Sequence, residues 1–129
     1  MEIRRYTKND EDRLMELIEA EGEEWSCYTS PGAAARYRVL LADSITYVAC
    51  NGDMICGYSR SIRDGDFYIY VCDLLVTGQS RGQGLGRRLM ECVCRDHPHT
   101  TVYVMSDVDA YYKKLGYRRE GSIFEVGSD

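Results

Sequence analysis

The hydrophobic pattern changes period several times along the chain, and each change predicts an element. Ile3-Arg4-Arg5-Tyr6 alternates like a short strand. Thr7 or Asn9 then offers an N-cap, and acids follow as suits a first helical turn. Leu14, Leu17 and Ile18 fall at helical spacing, so a helix is expected over residues 10–21. Ser30-Pro31 pairs a capping serine with proline at the first helical position. Ala34, Tyr37, Leu40 and Leu41 share one side of the helix that follows. Residues 45–50, 54–62 and 67–76 are rich in β-branched, aromatic and apolar side chains. Asn51-Gly52 and Asp64-Gly65 separate them as two-residue hairpin signals, which predicts a three-stranded antiparallel meander. Leu85, Leu89, Cys92 and Val93 mark another amphipathic helix, residues 100–105 a strand, residues 109–115 a short helix ended by Gly116, and residues 117–126 a last strand. The order β, α, α, β, β, β, α, β, α, β predicts a mixed sheet with helices packed on it, an α+β fold.

Composition narrows the picture. A chain of 129 residues, 44% hydrophobic and 29% charged, without repeats or linkers, reads as a single domain over residues 1–129. Such a domain buries roughly two thirds of its unfolded surface. No apolar run approaches the ~20 residues of a membrane span, and Met-Glu-Ile-Arg-Arg-Tyr6 lacks the apolar stretch of a signal peptide. A cytoplasmic protein is expected. Sixteen basic against twenty-one acidic residues give a net charge of -5, which disfavours nucleic acid as a partner. Residues 10–24 alone hold eight acids and one base, Arg13. Six cysteines would suggest a disulfide framework in a secreted chain. In a reducing compartment Cys50, Cys56 and Cys72, set in apolar strand-like runs, read instead as small core residues.

The segment richest in chemistry runs from Leu74-Leu75-Val76 through Arg81-Gly82-Gln83-Gly84-Leu85-Gly86-Arg87-Arg88. A strand enters a loop with three alternating glycines, and the loop opens a helix. Missing Cβ atoms let backbone approach a ligand, and the first-turn amides with the helix dipole behind them form a phosphate site. Arg81, Arg87 and Arg88 add local positive charge to an acidic protein. A nucleotide-type Walker loop is excluded, because Gly86 is followed by Arg87-Arg88 rather than Lys-Ser/Thr. A dinucleotide fingerprint is excluded too: Arg87 occupies its third glycine position, and the loop follows an antiparallel meander.

Arg81-Gly82-Gln83-Gly84-Leu85-Gly86 fits (Q/R)-x-x-G-x-(G/A), and Ala110-Tyr111-Tyr112-Lys113-Lys114-Leu115-Gly116-Tyr117 fits A-x-(F/Y)-Y-x-K-x-G-(F/Y) about thirty residues later. In these two motifs and in element order the chain resembles the GNAT acetyl-CoA-dependent N-acetyltransferases over nearly its whole length. The resemblance implies a three-layer fold with a central, mostly antiparallel mixed sheet of six to seven strands flanked by about four helices. It implies acetyl-CoA as acyl donor and a primary amine of a small molecule or peptide as acceptor, by direct transfer. The alternative within the same fold is a non-catalytic acyl-CoA-binding sensor or partner module. A homodimer is compatible with the resemblance.

Carried over residue by residue, the pyrophosphate meets the loop from Arg81 through Gly82, Gln83, Gly84, Leu85 and Gly86 to Arg87. The pantetheine arm bonds the strand ending at Leu75 and Val76, and an N–H of Leu74 or Leu75 holds the thioester carbonyl. Tyr112 is the implied general acid, a phenol protonated at neutral pH. Asp73 matches a carboxylate found on this strand in relatives and is the candidate base, although alternation sets it opposite Cys72 and Leu74. Glu24, Tyr70 and a water chain are alternatives for the base, and Cys72 for a covalent route. An Asn common in relatives before the tyrosine helix is absent; Met105-Ser106-Asp107-Val108-Asp109 stands there. The acidic stretch followed by Trp25 and Tyr28 would suit a cationic amine, or be a solvated helix face. Cys92, Cys94, His97 and His99 do not have zinc spacing, so no metal is expected.

Overall fold

The computed structural model describes residues 1–127. Strand β1 (Glu2–Arg5) leads through a 3-10 turn at Lys8–Asp10 into α1 (Glu11–Ala20). Asp10 is buried because it closes that turn: its carboxylate accepts the Thr7 N–H at 2.8 Å and two Arg4 guanidinium contacts at 2.8 Å. Thr7 therefore caps the 3-10 turn, while Asp10, and neither Thr7 nor Asn9, stands at the N-cap of α1. A one-turn helix α2 (Ser26–Thr29) precedes α3 (Pro31–Asp43), whose Ser30 cap and Pro31 start follow the sequence expectation. The meander is β2 (Ile45–Asn51), β3 (Met54–Asp64) and β4 (Tyr68–Val76). Helix α4 (Leu85–Asp96) then crosses over to β5 (Thr101–Val104), and α5 (Asp109–Lys114) follows.

Among the described residues the sheet has five strands in the order β1-β2-β3-β4-β5, antiparallel up to β4 and parallel between β4 and β5. A mixed α/β architecture was expected, but with six to seven strands and four helices. The five α-helices among the described residues include α2, whose four residues are too few to leave a period in the sequence. The expected strand at residues 117–126 does not form. Arg118, Arg119 and Glu120 are engaged locally instead, with Arg118 paired to Glu120 and Arg119 to Ser122, so the apolar Ile123, Phe124 and Val126 stay exposed.

Two cores lie on opposite faces. Leu14, Ile18, Tyr37 and Leu41 from α1 and α3 pack on Val48, Cys50, Tyr58 and Leu75. Leu89, Cys92 and Val93 of α4 pack on Tyr47, Ala49 and Ile69, with Leu74, Val76 and Val102 beside them. Strand β4 serves both through a bulge: Asp73 pairs with Arg60 but Val71 with Ser61, leaving Cys72 without a partner on β3. The bulge shifts the alternation by one residue. Ile69 before it and Leu74 and Val76 after it thus share the α4 face, while Asp73 and Leu75 turn to the other. A second bulge at Cys56 does the same for β3. Cys50 and Cys56 are buried as expected, whereas Cys72 is half-buried at its bulge; all six thiols are free.

Candidate functional site

Pairing between β4 and β5 runs only from Tyr68↔Thr101 to Val71↔Val104, closed by the Met105 N–H on the Val71 carbonyl at 3.1 Å. Beyond it, residues 72–76 have no partner on the β5 side. This is a splay about 13 Å long at ~3.3 Å per residue. The Thr77 N–H reaches the Cys56 carbonyl at 2.9 Å, which fixes the phase of the β3–β4 ladder. Main-chain groups of Asp73 and Leu75 consequently face β3, and those of Leu74 and Val76 face the splay. Of the two N–H groups expected in the cleft, Leu74's has the cleft orientation. The Val76 carbonyl already accepts a hydrogen bond from Arg81 Nε at 2.9 Å.

The glycine loop sits at the open end of the splay. Gly82 and Gly84 adopt φ of 79° and 75°, a left-handed backbone that side chains resist, and open space surrounds both. Gly84 caps α4, whose first turn contains no acid, so the N–H groups of Leu85, Gly86 and Arg87 face outward with the helix dipole behind them. Gly86 answers a different need. A Cβ there would lie 2.5 Å from Tyr111 Oη and 3.6 Å from Leu74 Cδ2. Arg81 is held between the Val76 carbonyl and Glu21, at 2.9 and 3.4 Å, while Arg87 is exposed and loosely paired with Glu91 at 3.9 Å. Arg87 and Arg88 are thus the cations free to turn toward a phosphate. The Leu85 side chain is core, leaving its amide for the loop.

Tyr112 is half-buried, stacked on Tyr117 with ring centres 6.3 Å apart and edge-on to Tyr111 at 5.0 Å. Burial first, then Tyr111, Asp107 and Tyr117, push its pKa up to about 12. No spacing or motif singles out Tyr111 from its neighbours, yet its hydroxyl is the group against Gly86. Ser106 braces the turn before α5, accepting the Val108 N–H at 3.1 Å and donating to Asp109 at 2.8 Å.

Asp73 is 6% exposed and has three donors. Arg60 Nε lies 2.7 Å and Tyr37 Oη 2.8 Å from Oδ2, and Tyr28 Oη lies 2.8 Å from Oδ1. Tyr58 donates in turn to Tyr37 at 2.7 Å. Burial and the neighbouring carboxylate push Tyr28 up to about 12 and raise Tyr37 and Tyr58 further. Burial alone would lower Arg60, but Asp73 overrides it and holds the guanidinium firmly charged. Sequence reasoning missed this network because Arg60 lies on the neighbouring strand and Tyr37 on α3. Burial also raises the Cys72 thiol, against a smaller opposing pull from Arg60, which keeps it protonated and a weak nucleophile. Trp25 packs with its ring centre 6.2 Å from that of Tyr58, and Tyr28 stacks 4.1 Å from Tyr37, so both belong to the core under α2. Among the described residues no three His, Cys, Asp or Glu side chains gather as a metal site; Cys92 is buried and Cys94 exposed.

Residues 42–119, from the end of α3 past α5, match the family model described as the acetyltransferase (GNAT) domain. A solved aminoglycoside acetyltransferase from an uncultured soil metagenomic sample superposes with a TM-score of 0.76 at 23% identity, over 99% of this chain and 98% of that one. A GNAT-family acetyltransferase from Streptococcus pneumoniae gives 0.74 at 20% identity, over 98% of each chain. Aminoglycoside 6'-acetyltransferase type Ii gives 0.75 at 21% identity, over 94% of this chain and 85% of that one. At these identities the structures share the fold.

Proposed function

The chain belongs to the GNAT acetyltransferase family, and on that premise we propose that it moves an acetyl group from acetyl-CoA to a primary amine by direct transfer. The observation that carries this reading is the splay between β4 and β5, open toward a glycine loop that leads into the N-terminus of α4. Loop amides from Gly82 to Arg87, with the Arg87 and Arg88 guanidiniums, suit a pyrophosphate. The outward backbone edge of Leu74 and Val76 suits an extended arm that adds to β4 as a strand would. When bound, acetyl-CoA supplies an activated thioester carbonyl.

In this reading the Leu74 N–H faces the carbonyl oxygen on which negative charge develops. The amine nitrogen forms the new C–N bond as the C–S bond breaks, giving an amide and free CoA. Tyr112 holds a proton throughout the neutral range, as the donor to the departing sulfur must. Asp73 accepts three hydrogen bonds already, so its part is to position Tyr28 and Arg60. The ammonium gives one proton to water before the neutral amine attacks, and the proton the nitrogen sheds as the C–N bond forms balances the one Tyr112 gives to sulfur. The raised Cys72 thiol favours direct transfer over an acetyl-cysteine.

Thermal unfolding with acetyl-CoA, and with ATP and NAD as controls, tests the donor. A ligand at a hundred times its Kd adds about 2.7 kcal/mol, several degrees in a domain of this size. Acetyl transfer to an amine panel is then read by product mass. Tyr112→Phe is expected to keep the acetyl-CoA shift and lose roughly 10²–10⁴-fold in kcat. No shift with acetyl-CoA refutes the reading; a shift without transfer to any amine leaves the non-catalytic acyl-CoA module.

A further inference from the structure

The face of the sheet opposite α4 is not evenly covered. The core beneath α1–α3 reaches Leu75 on β4 and includes no residue of β5. Before the bulge, alternation turns Tyr68, Tyr70 and Tyr103 to this face, because Ile69 and Val102 point into the core under α4. The three rings form a ladder, with centres 5.5 Å apart for Tyr68–Tyr103, 5.9 Å for Tyr70–Tyr103 and 6.2 Å for Tyr68–Tyr70. Ile62 pairs with Tyr70 and is 43% exposed, and Phe67 stands 6.4 Å from Tyr68, 74% exposed. An exposed aromatic patch of this kind is not what a solvated sheet face needs.

Its position gives it meaning. The row Tyr70↔Tyr103 is the second-to-last paired row before the splay, one residue from the bulge at Cys72. If the phosphates lie at the glycine loop, the acyl end of the donor lies at this closed end. We infer that the tyrosine ladder is the acceptor platform, and that it takes a primary amine with a flat, apolar body, an arylalkylamine, its nitrogen set toward Cys72 and its ring on Tyr70 and Tyr103. This rests on the acetyl-transfer reading above. Charge complementarity points the same way. Asp64 is the sole formal charge on the two paired rows, and Arg118, paired with Glu120 at 2.7 Å, flanks Tyr103, so nothing there selects a polycation. The acidic residues Glu16, Glu21 and Asp53 stand instead, together with Arg13, around a separate cavity of about 360 Å³ between α1 and the β2–β3 turn. That cavity also touches Thr77, at the phosphate end of the splay and therefore away from the acyl group.

Calorimetric binding of phenethylamine, n-hexylamine and spermidine to the full chain with CoA present tests this, beside transfer kinetics with the same amines. Phenethylamine is expected to bind about 3- to 10-fold tighter than hexylamine, the scale of one to two aromatic contacts. Tyr103→Leu and Tyr70→Leu should each erase that preference while keeping the acetyl-CoA thermal shift, which also reports an intact fold. Hexylamine or spermidine binding as well as phenethylamine, or a preference untouched by both variants, overturns the inference. So does a dimer in sedimentation that Tyr103→Leu disperses while amine binding persists, since the face would then belong to a second copy. Phenethylamine that binds through Tyr103 but is not acetylated would sink the catalytic reading and leave the platform standing.

Discussion

Replacing Asp73 with Asn probes the buried network directly. The substitution keeps shape and one acceptor oxygen but removes the charge opposite Arg60, which is 7% exposed with its Nε 2.7 Å from the carboxylate. Arg60 stays charged because its guanidinium cannot release its proton near neutral pH. Its remaining side-chain hydrogen bond reaches Ser44 Oγ at 3.3 Å, a weak substitute. Breaking a buried pair on one side costs about 3–5 kcal/mol, because a desolvated charge is left behind. The retained acceptor for Tyr28 or Tyr37 places this case near the lower end, about 3 kcal/mol. For a domain of this size that corresponds to a fall in Tm of roughly 10 °C. The companion variant is Arg60→Met with Asp73→Leu, which removes both charges; it should recover most of the loss, since well-packed apolar replacements of buried pairs are often neutral. Urea unfolding of the wild type, the single variant and the pair gives the coupling. A single variant within 1 kcal/mol of wild type, or a double variant no better than the single, would refute the placement of Asp73 in a closed structural network. A normal fold with activity lost would return Asp73 to the chemistry.

Gly86→Ala sets a methyl group 2.5 Å from Tyr111 Oη. Because the clash is with the tip of a side chain, the cost should be about 1 kcal/mol, at the low end for overpacking; Tyr111→Phe in the same chain should relieve it, and no relief would mean that the backbone of α4 carries the strain. The raised tyrosines predict an alkaline limit. Tyr6, Tyr28, Tyr47 and Tyr112 are pushed up to about 12 and Tyr37 and Tyr58 beyond, chiefly by burial. Unfolded tyrosine titrates near 10, so their contribution is whole below that pH and is lost as pH climbs from 10 through 12; a urea midpoint constant to pH 11.5 would contradict it. In transfer kinetics kcat/KM should rise with pH as the amine loses its proton. No falling limb from Tyr112 is expected below about pH 11, and one near pH 9 would show a different proton donor.

The long elements were legible because their periods are long: α1, α3, α4 and the meander lie within a few residues of where apolar spacing and the Asn51-Gly52 and Asp64-Gly65 turns set them. What spacing cannot encode is register. The bulges at Cys56 and Cys72 add one residue to a strand without marking the sequence, and they decide which face each later side chain takes. Trp25 and Tyr28 looked like an acceptor surface because they follow an acidic run. Their engagement by Tyr58 and Asp73 depends on contacts between residues far apart in the chain, Trp25 with Tyr58 and Tyr28 with Asp73, that no local pattern records. The tail misled for the opposite reason: Ile123, Phe124 and Val126 have the composition of a strand, but pairing needs a partner edge, and the Arg118–Glu120 pair and the Arg119–Ser122 hydrogen bond hold the chain before them.

One irregularity links stability to the site. At Cys72 the extra residue turns Asp73 and Leu75 toward α1–α3 and leaves Leu74 and Val76 on the α4 side, with their main-chain groups directed into the splay. A straight β4 would reverse every side chain on one side of that point, putting a carboxylate beneath α4 and a leucine against Arg60. The Arg60–Asp73 pair therefore does more than fill a buried slot. It holds the bulge in register by joining β3 to the first residue past the insertion, and the same turn of backbone presents the Leu74 N–H to the cleft. The charged network and the splay are thus two consequences of a single inserted residue.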